Sequence, residues 1–166
     1  MMHVGRRRAL IALALAPGLL RAQPAIEDEH LPPLNDLRVL AEAIAKHTAP
    51  LLVLFSTPGC PFCREVRRNY LIPRVKEQAD KATPELLLRE TDITSESVIV
   101  DLAGISATEA EFARLHHVRA VPVVTLFDSS LRPIGKPLVG LDRSGFYEGY
   151  LASAIDAARK HLRQTS

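Results

Sequence analysis

The chain has 166 residues, 47% hydrophobic and 24% charged, with two cysteines and no tryptophan. That length and balance suit one globular domain with a real core, and the absence of low-complexity tracts and internal repeats excludes fibrous and solenoid architectures. The formal charge of +2 arises in the first 22 residues and is no sign of nucleic-acid binding.

Arg6-Arg7-Arg8 followed by the apolar stretch Ala9 to Leu20 reads as an export signal over residues 1–22, with the small residue Ala22 at a cleavage point. As a helix the twelve residues from Ala9 to Leu20 would span roughly 18 Å against a hydrocarbon core of about 30 Å, so no permanent membrane anchor is expected. The sequence leaves the general and twin-arginine export routes open. Cleavage would remove Arg6, Arg7, Arg8 and Arg21 from the 21 basic residues and none of the 19 acidic ones, turning +2 into −2. The expected location is periplasmic, where a cysteine pair can stay oxidised.

Residues 23–34, with Pro24, Pro32, Pro33 and the acidic Glu27-Asp28-Glu29, read as an extended segment leading to a domain over 35–163. Asn35 is placed to cap a helix over Asp36–His47, and Leu51–Ser56 reads as a strand buried on both faces because it does not alternate. A helix follows from Cys60 to about Tyr70, with Pro73 expected to end or kink it before a second stretch to about Lys81. Glu85–Ile93 reads as a second central strand, while Thr94–Ile105 has no assignment. Ser106-Ala107-Thr108-Glu109 matches a capping box opening a helix to about His116. Val121–Phe127 is a third strand, Asp128-Ser129-Ser130 a turn, and Ile134–Val139 an edge strand marked by Pro133 and Pro137. The last helix is expected from about Ser144 to Leu162. Strands separated by helices imply parallel pairing, with the final hairpin as an antiparallel edge.

The two cysteines lie in Ser56-Thr57-Pro58-Gly59-Cys60-Pro61-Phe62-Cys63, between a strand and a helix. A sulfur at a helix N-terminus meets unpaired N–H groups and the positive end of the helix dipole, which favour thiolate. Three readings of such a pair are open: a redox couple, half of a soft metal site completed by His116-His117, or an inert staple. A loop this short constrains the unfolded chain little, which disfavours the staple. His117 reads more simply as a left-handed helix end than as a ligand.

With Cys60-Pro61-Phe62-Cys63 following its strand and Val118-Arg119-Ala120-Val121-Pro122-Val123-Val124-Thr125-Leu126-Phe127 some sixty residues later, the chain resembles the thioredoxin superfamily over about residues 35–163. Gly135 and Gly140 match the glycines that flank that family's edge strand. The resemblance implies an α/β thioredoxin fold, a central mixed sheet of about four strands flanked by helices, here with an extra N-terminal helix. It implies a cis bond before Pro122, a thiol:disulfide oxidoreductase activity without a cofactor, Cys60 as nucleophile and Cys63 as resolving thiol. Pro61, Phe62, Val121 and Pro122 would bind substrate. Partners would be protein disulfides or dithiols and an upstream thiol-redox partner, with no nucleic acid, and the protein is expected to be a monomer.

The sequence departs from that family in carrying Gly59 where an aromatic residue usually precedes the first cysteine, and Leu54 where an acid is often buried six residues before it. Cys63-Arg64-Glu65-Val66-Arg67-Arg68-Asn69-Tyr70-Leu71 and the Val139-Gly140-Leu141 and Gly145-Phe146-Tyr147 stretches are similar to periplasmic bacterial thioredoxin-like proteins, some of which reduce disulfide carriers. This favours a reductase, with a disulfide-donating oxidase and a copper(I)- or zinc-binding chaperone as alternatives. Arg64 and Arg67 are expected to be solvated helix residues.

Overall fold

Six consecutive buried residues, Leu51–Ser56, form the central strand β1 of the computed structural model, which describes residues 30–79 and 81–165. The export signal and residues 23–29 lie outside the described residues. Around β1 run the elements α1 (Leu37–His47), α2 (Pro61–Val66), α3 (Ile72–Ala79), β2 (Leu87–Asp92), β3 (Val98–Val100), β4 (Ser106–Thr108), α4 (Glu109–Leu115), β5 (Val123–Phe127), β6 (Leu138–Val139) and α5 (Tyr147–Thr165). The main sheet has the order β2-β1-β5-β6, with β1–β2 parallel and the other two pairs antiparallel. It is the four-stranded mixed sheet of a thioredoxin fold, preceded by the extra helix α1. Contrary to the expectation from alternating helices, β5 is antiparallel to its neighbour β1.

The pleat of β1 divides the core. Leu52 and Leu54 point to one side, where they join Val66, Leu71 and Ile72 of the cysteine-bearing helical run and Leu151, Ile155 and Ala158 of α5. Leu51, Val53 and Phe55 point to the other, with Leu37, Leu40 and Ile44 of α1 and Phe112 and Ala113 of α4. Burying each large side chain contributes about 1.5–3 kcal/mol, so neither face of β1 tolerates a charge.

Several local expectations shift for identifiable reasons. Asn35 adopts left-handed φ (+50°), and Asp36 caps α1 instead, accepting the Arg38 N–H at 2.9 Å. The Arg38 guanidinium hydrogen-bonded to the Asp36 carboxylate lowers its pKa to about 2. Pro73 neither ends nor breaks its helix. Arg67–Leu71 forms one wide π turn in which the Ile72 N–H reaches the Arg67 carbonyl, so the helical path continues past the residue that lacks a donor. The capping box lies two residues later than expected: Thr108 and Glu111 make it reciprocally, and Ser106–Thr108 pairs with Val98–Val100 in a two-stranded sheet. The edge strand is cut to Leu138–Val139, with Pro133 keeping one isolated bridge to Phe127. The Asp142 carboxylate accepts the Ser144 and Phe146 N–H groups, which holds a turn there and delays α5 to Tyr147.

Before β1 the chain runs as a strap along the open side of β2. The Glu90 N–H donates to the Pro32 carbonyl at 3.0 Å, the Val100 N–H donates to the Asn35 carbonyl at 2.8 Å, and Leu31 and Leu34 are buried. At the end of α4 His117 holds φ +58°, and His116 packs edge-on against Phe112 and Phe127 at 4.6 and 4.7 Å. The His116 Nε2 is buried without a hydrogen-bond partner, and burial, helped by His117, lowers its pKa below the ordinary 6.5. The unfolded chain therefore takes up this proton before the folded one does. Stability is full above the unfolded value and falls as pH drops through about 6.5 toward the folded value. Urea midpoints measured from about pH 7.5 down to about pH 5.5 are expected to decline, and His116→Phe, which leaves the aromatic packing without a titrating group, is expected to flatten that decline.

Candidate active site

A four-residue turn carries the chain from β1 to α2. The Cys60 N–H donates to the Thr57 carbonyl at 3.3 Å, Pro58 takes the second position and Gly59 the third with φ +76°. A side chain at Gly59 would meet nothing within 4 Å, so the glycine answers to backbone conformation and not to crowding. The turn delivers Cys60 as the N-cap of α2 in extended backbone, with Pro61 at the first helical position, where its missing N–H is not needed.

Cys60 and Cys63 form a disulfide with Cα atoms 5.3 Å apart, and Cys60 Sγ accepts the Cys63 N–H at 3.1 Å. Cys63 is fully buried; Cys60 is half-buried and Phe62 is 43% exposed. Only one of the two sulfurs is therefore placed to meet another protein. Once reduced, that sulfur sits among the unpaired N–H groups at the start of the helix, which stabilise negative charge.

The Val121–Pro122 peptide bond is cis. Because Phe55 pairs with Val123 in the antiparallel ladder, the residues just after β1 and just before β5 run side by side. Register thus brings Val121 and Pro122 to the same sheet end as Cys60, Pro61, Phe62 and Cys63. The Pro122 carbonyl accepts the Gly140 N–H at 2.8 Å, while the backbone groups of Val121 make no backbone hydrogen bond among the described residues. The Arg143 guanidinium lies 6.0 Å from the centroid of the Phe62 ring, which ties the loop after Gly140 to the cysteine turn.

Leu54 leaves no acid on β1 beneath the cysteines, but Glu90 lies directly opposite it on β2. The Glu90 carboxylate accepts from Arg67 Nε at 2.8 Å, from an Arg67 terminal nitrogen at 2.5 Å and from the Ser56 hydroxyl at 2.6 Å. Both side chains are about one-tenth exposed, at 9% and 10%. Arg67 follows Cys63 by four residues, so the two share a helix face and the arginine turns inward toward β2. Arg64 is exposed as expected; Arg67 is not. The spacing of Arg67 from Cys63 was the available signal, and the partner on β2 was not visible in sequence.

A cavity of about 350 Å³ opens beside Cys60, between the strap residues His30, Leu31 and Pro33, the Pro58-Gly59 turn and the Arg67–Glu90 pair. Asp92 and Glu109 complete its wall. His116 and His117 line a different cavity, with Leu37 and Leu131, and among the described residues no group of three or more His, Cys, Asp or Glu is placed to hold a metal ion. The arrangement is suited to exchanging a disulfide at Cys60.

Residues 38–141 match the family model of the thioredoxin-like domain. No curated protein sequence matches the chain. Among solved structures, a point-mutant thioredoxin from Halobacterium salinarum superposes with a TM-score of 0.50 at 19% identity, covering 82% of this chain and 96% of that one. Thioredoxin f from spinach chloroplast gives 0.50 at 17% identity, covering 78% and 94%. At such identity the likeness is one of fold.

The buried ion pair generates a stability test. Arg67→Leu leaves the Glu90 carboxylate buried without its cation and is expected to cost about 3–5 kcal/mol in denaturant unfolding, whereas Arg67→Leu combined with Glu90→Leu is expected to recover much of the loss.

Proposed function

We propose that this chain, which belongs to the thioredoxin-like domain family and is a thiol:disulfide oxidoreductase, serves as an exported reductant of protein disulfides, with Cys60 as nucleophile and Cys63 as resolving thiol. The observation that carries the assignment of roles is the difference in access: Cys60 is half-buried at a helix N-cap, and Cys63 is sealed one turn inside.

In the reduced protein Cys60 thiolate attacks one sulfur of a substrate disulfide, and the other substrate sulfur leaves as a thiolate. Cys63 then gives up its proton and attacks Cys60 Sγ, breaking the mixed disulfide and releasing the second substrate thiolate. Two electrons have moved to the substrate, and the Cys60–Cys63 disulfide remains. An upstream dithiol must return those electrons. Val121, with its backbone groups unengaged, is suited to receive the extended substrate chain beside Pro122, and Phe62 and Pro61 offer an apolar contact next to the sulfur.

Export is supported by the basic and apolar run Arg6 to Leu20, and reduction by the resemblance of residues 63–71 to periplasmic thioredoxin-like proteins. Reduced protein is expected to reduce insulin, Cys60→Ser to be inactive, and Cys63→Ser to accumulate a mixed disulfide with substrate. Insulin reduction undiminished in Cys60→Ser overturns the assignment. A reduction potential near about −270 mV marks the couple as a reductant, whereas one near about −120 mV reverses the proposed direction.

A further inference from the structure

The cavity beside Cys60 is lined by a carboxylate that pairs with no other group among the described residues. Glu109 is 8% exposed and lines the cavity wall, yet its side chain has no hydrogen bond or ion pair among the described residues. The capping role that its position suggests is taken by Glu111, which reaches back to the Thr108 N–H. The Glu109 carboxylate suits the first turn of α4 but pairs with no group among the described residues, and it opens on the cavity.

The other charges around the cavity sharpen what is missing. Arg67 spends two of its donors on Glu90, so that pair is internally neutral. Asp92 accepts the Thr94 N–H and hydroxyl through one oxygen and has no cationic partner among the described residues. Arg64, exposed on α2, is the one remaining cation of the lining against two acids. With Glu90, Asp92 and Glu109 against Arg64 and Arg67, the wall carries one surplus carboxylate, which favours a cationic guest over an anionic one.

The position of the cavity says where the guest comes from. In the sheet order, β5 with Pro122 flanks β1 on one side and β2 with Glu90 and Asp92 flanks it on the other. A polypeptide held at Val121 and joined through its cysteine to Cys60 therefore has the cavity on the far side of that sulfur, within reach of a long neighbouring side chain. We propose that this cavity is a specificity subsite, in which Glu109 receives the lysine or arginine side chain of a residue flanking the reactive cysteine of the substrate protein. The inference rests on Cys60 being the nucleophile that meets substrate.

The test uses the reduced full chain and three peptide disulfides identical except for Lys, Gln or Glu beside the reactive cysteine. The unmodified protein is expected to reduce the Lys peptide with a kcat/KM about tenfold above the Glu peptide, the scale of one charge-assisted hydrogen bond, with the Gln peptide between them. Glu109→Gln, isosteric with the native side chain, is expected to bring the three rates to within about twofold of one another. Equal rates for the three peptides with the unmodified protein overturn the subsite while leaving the oxidoreductase reading intact, and need no variant to fold. A preference for Lys that survives Glu109→Gln overturns the assignment to Glu109. Failure to reduce any peptide overturns the reading of Cys60 as the exchanging sulfur, and the subsite with it.

Discussion

The fold is organised by the desolvation of β1. With all six residues buried and its alternate side chains committed to two separate cores, this strand has no face available for solvent, so helices must cover both sides and strands must pair along both edges. The chemistry sits where that constraint ends. Only past Ser56 can the backbone turn toward water, and it does so at Pro58-Gly59, which places the first cysteine at the mouth of the next helix and the second against the core. The difference in reactivity between two identical side chains is thus a matter of one helical turn across the boundary of the apolar interior.

A strand buried on both sides also limits where polar machinery can be put. Leu54 fills the core beneath the cysteines, and the carboxylate appears instead on β2, held by Arg67 from the cysteine-bearing helix and by Ser56 from the end of β1. This three-way contact ties together the helix, the strand that leads to it and the neighbouring strand, at a depth where an unpartnered charge would be expensive. It gives the site a rigid floor whose components come from three parts of the chain.

Much of this was legible in the residues themselves. The unbroken apolar run of β1, the Pro-Gly turn, the cysteine spacing and the Val-Pro strand lead to the right architecture because each follows from local patterning. What patterning could not supply were pairings between distant segments. Glu90 looks like any polar residue of a strand until its register against Leu54 is known, and Arg67 looks solvated until the helix is seen to turn that face inward. Ser106 and Glu109 have the spacing of a capping box, but the strand pairing of Ser106–Thr108 with Val98–Val100 moves the helix start and hands the cap to Thr108 and Glu111. Pro73 would interrupt an ordinary helix, and a single wide turn accommodates it. In each case a tertiary contact overrode a local rule.

The strap over residues 30–36 joins two properties that are usually independent. By hydrogen-bonding Glu90 it covers the side of β2 that would otherwise stand as a bare ladder, and through Val100 it also holds β3, while the opposite edge, β6, is a two-residue strand directly after Pro137. The same few residues, His30, Leu31 and Pro33, form a wall of the opening next to the sulfur. Any displacement of the strap would widen the approach to the cysteine and unmask a template for strand addition in a single movement. Cover of the β2 edge is therefore coupled to the shape of the reactive face, and a change upstream of Leu34 acts on both.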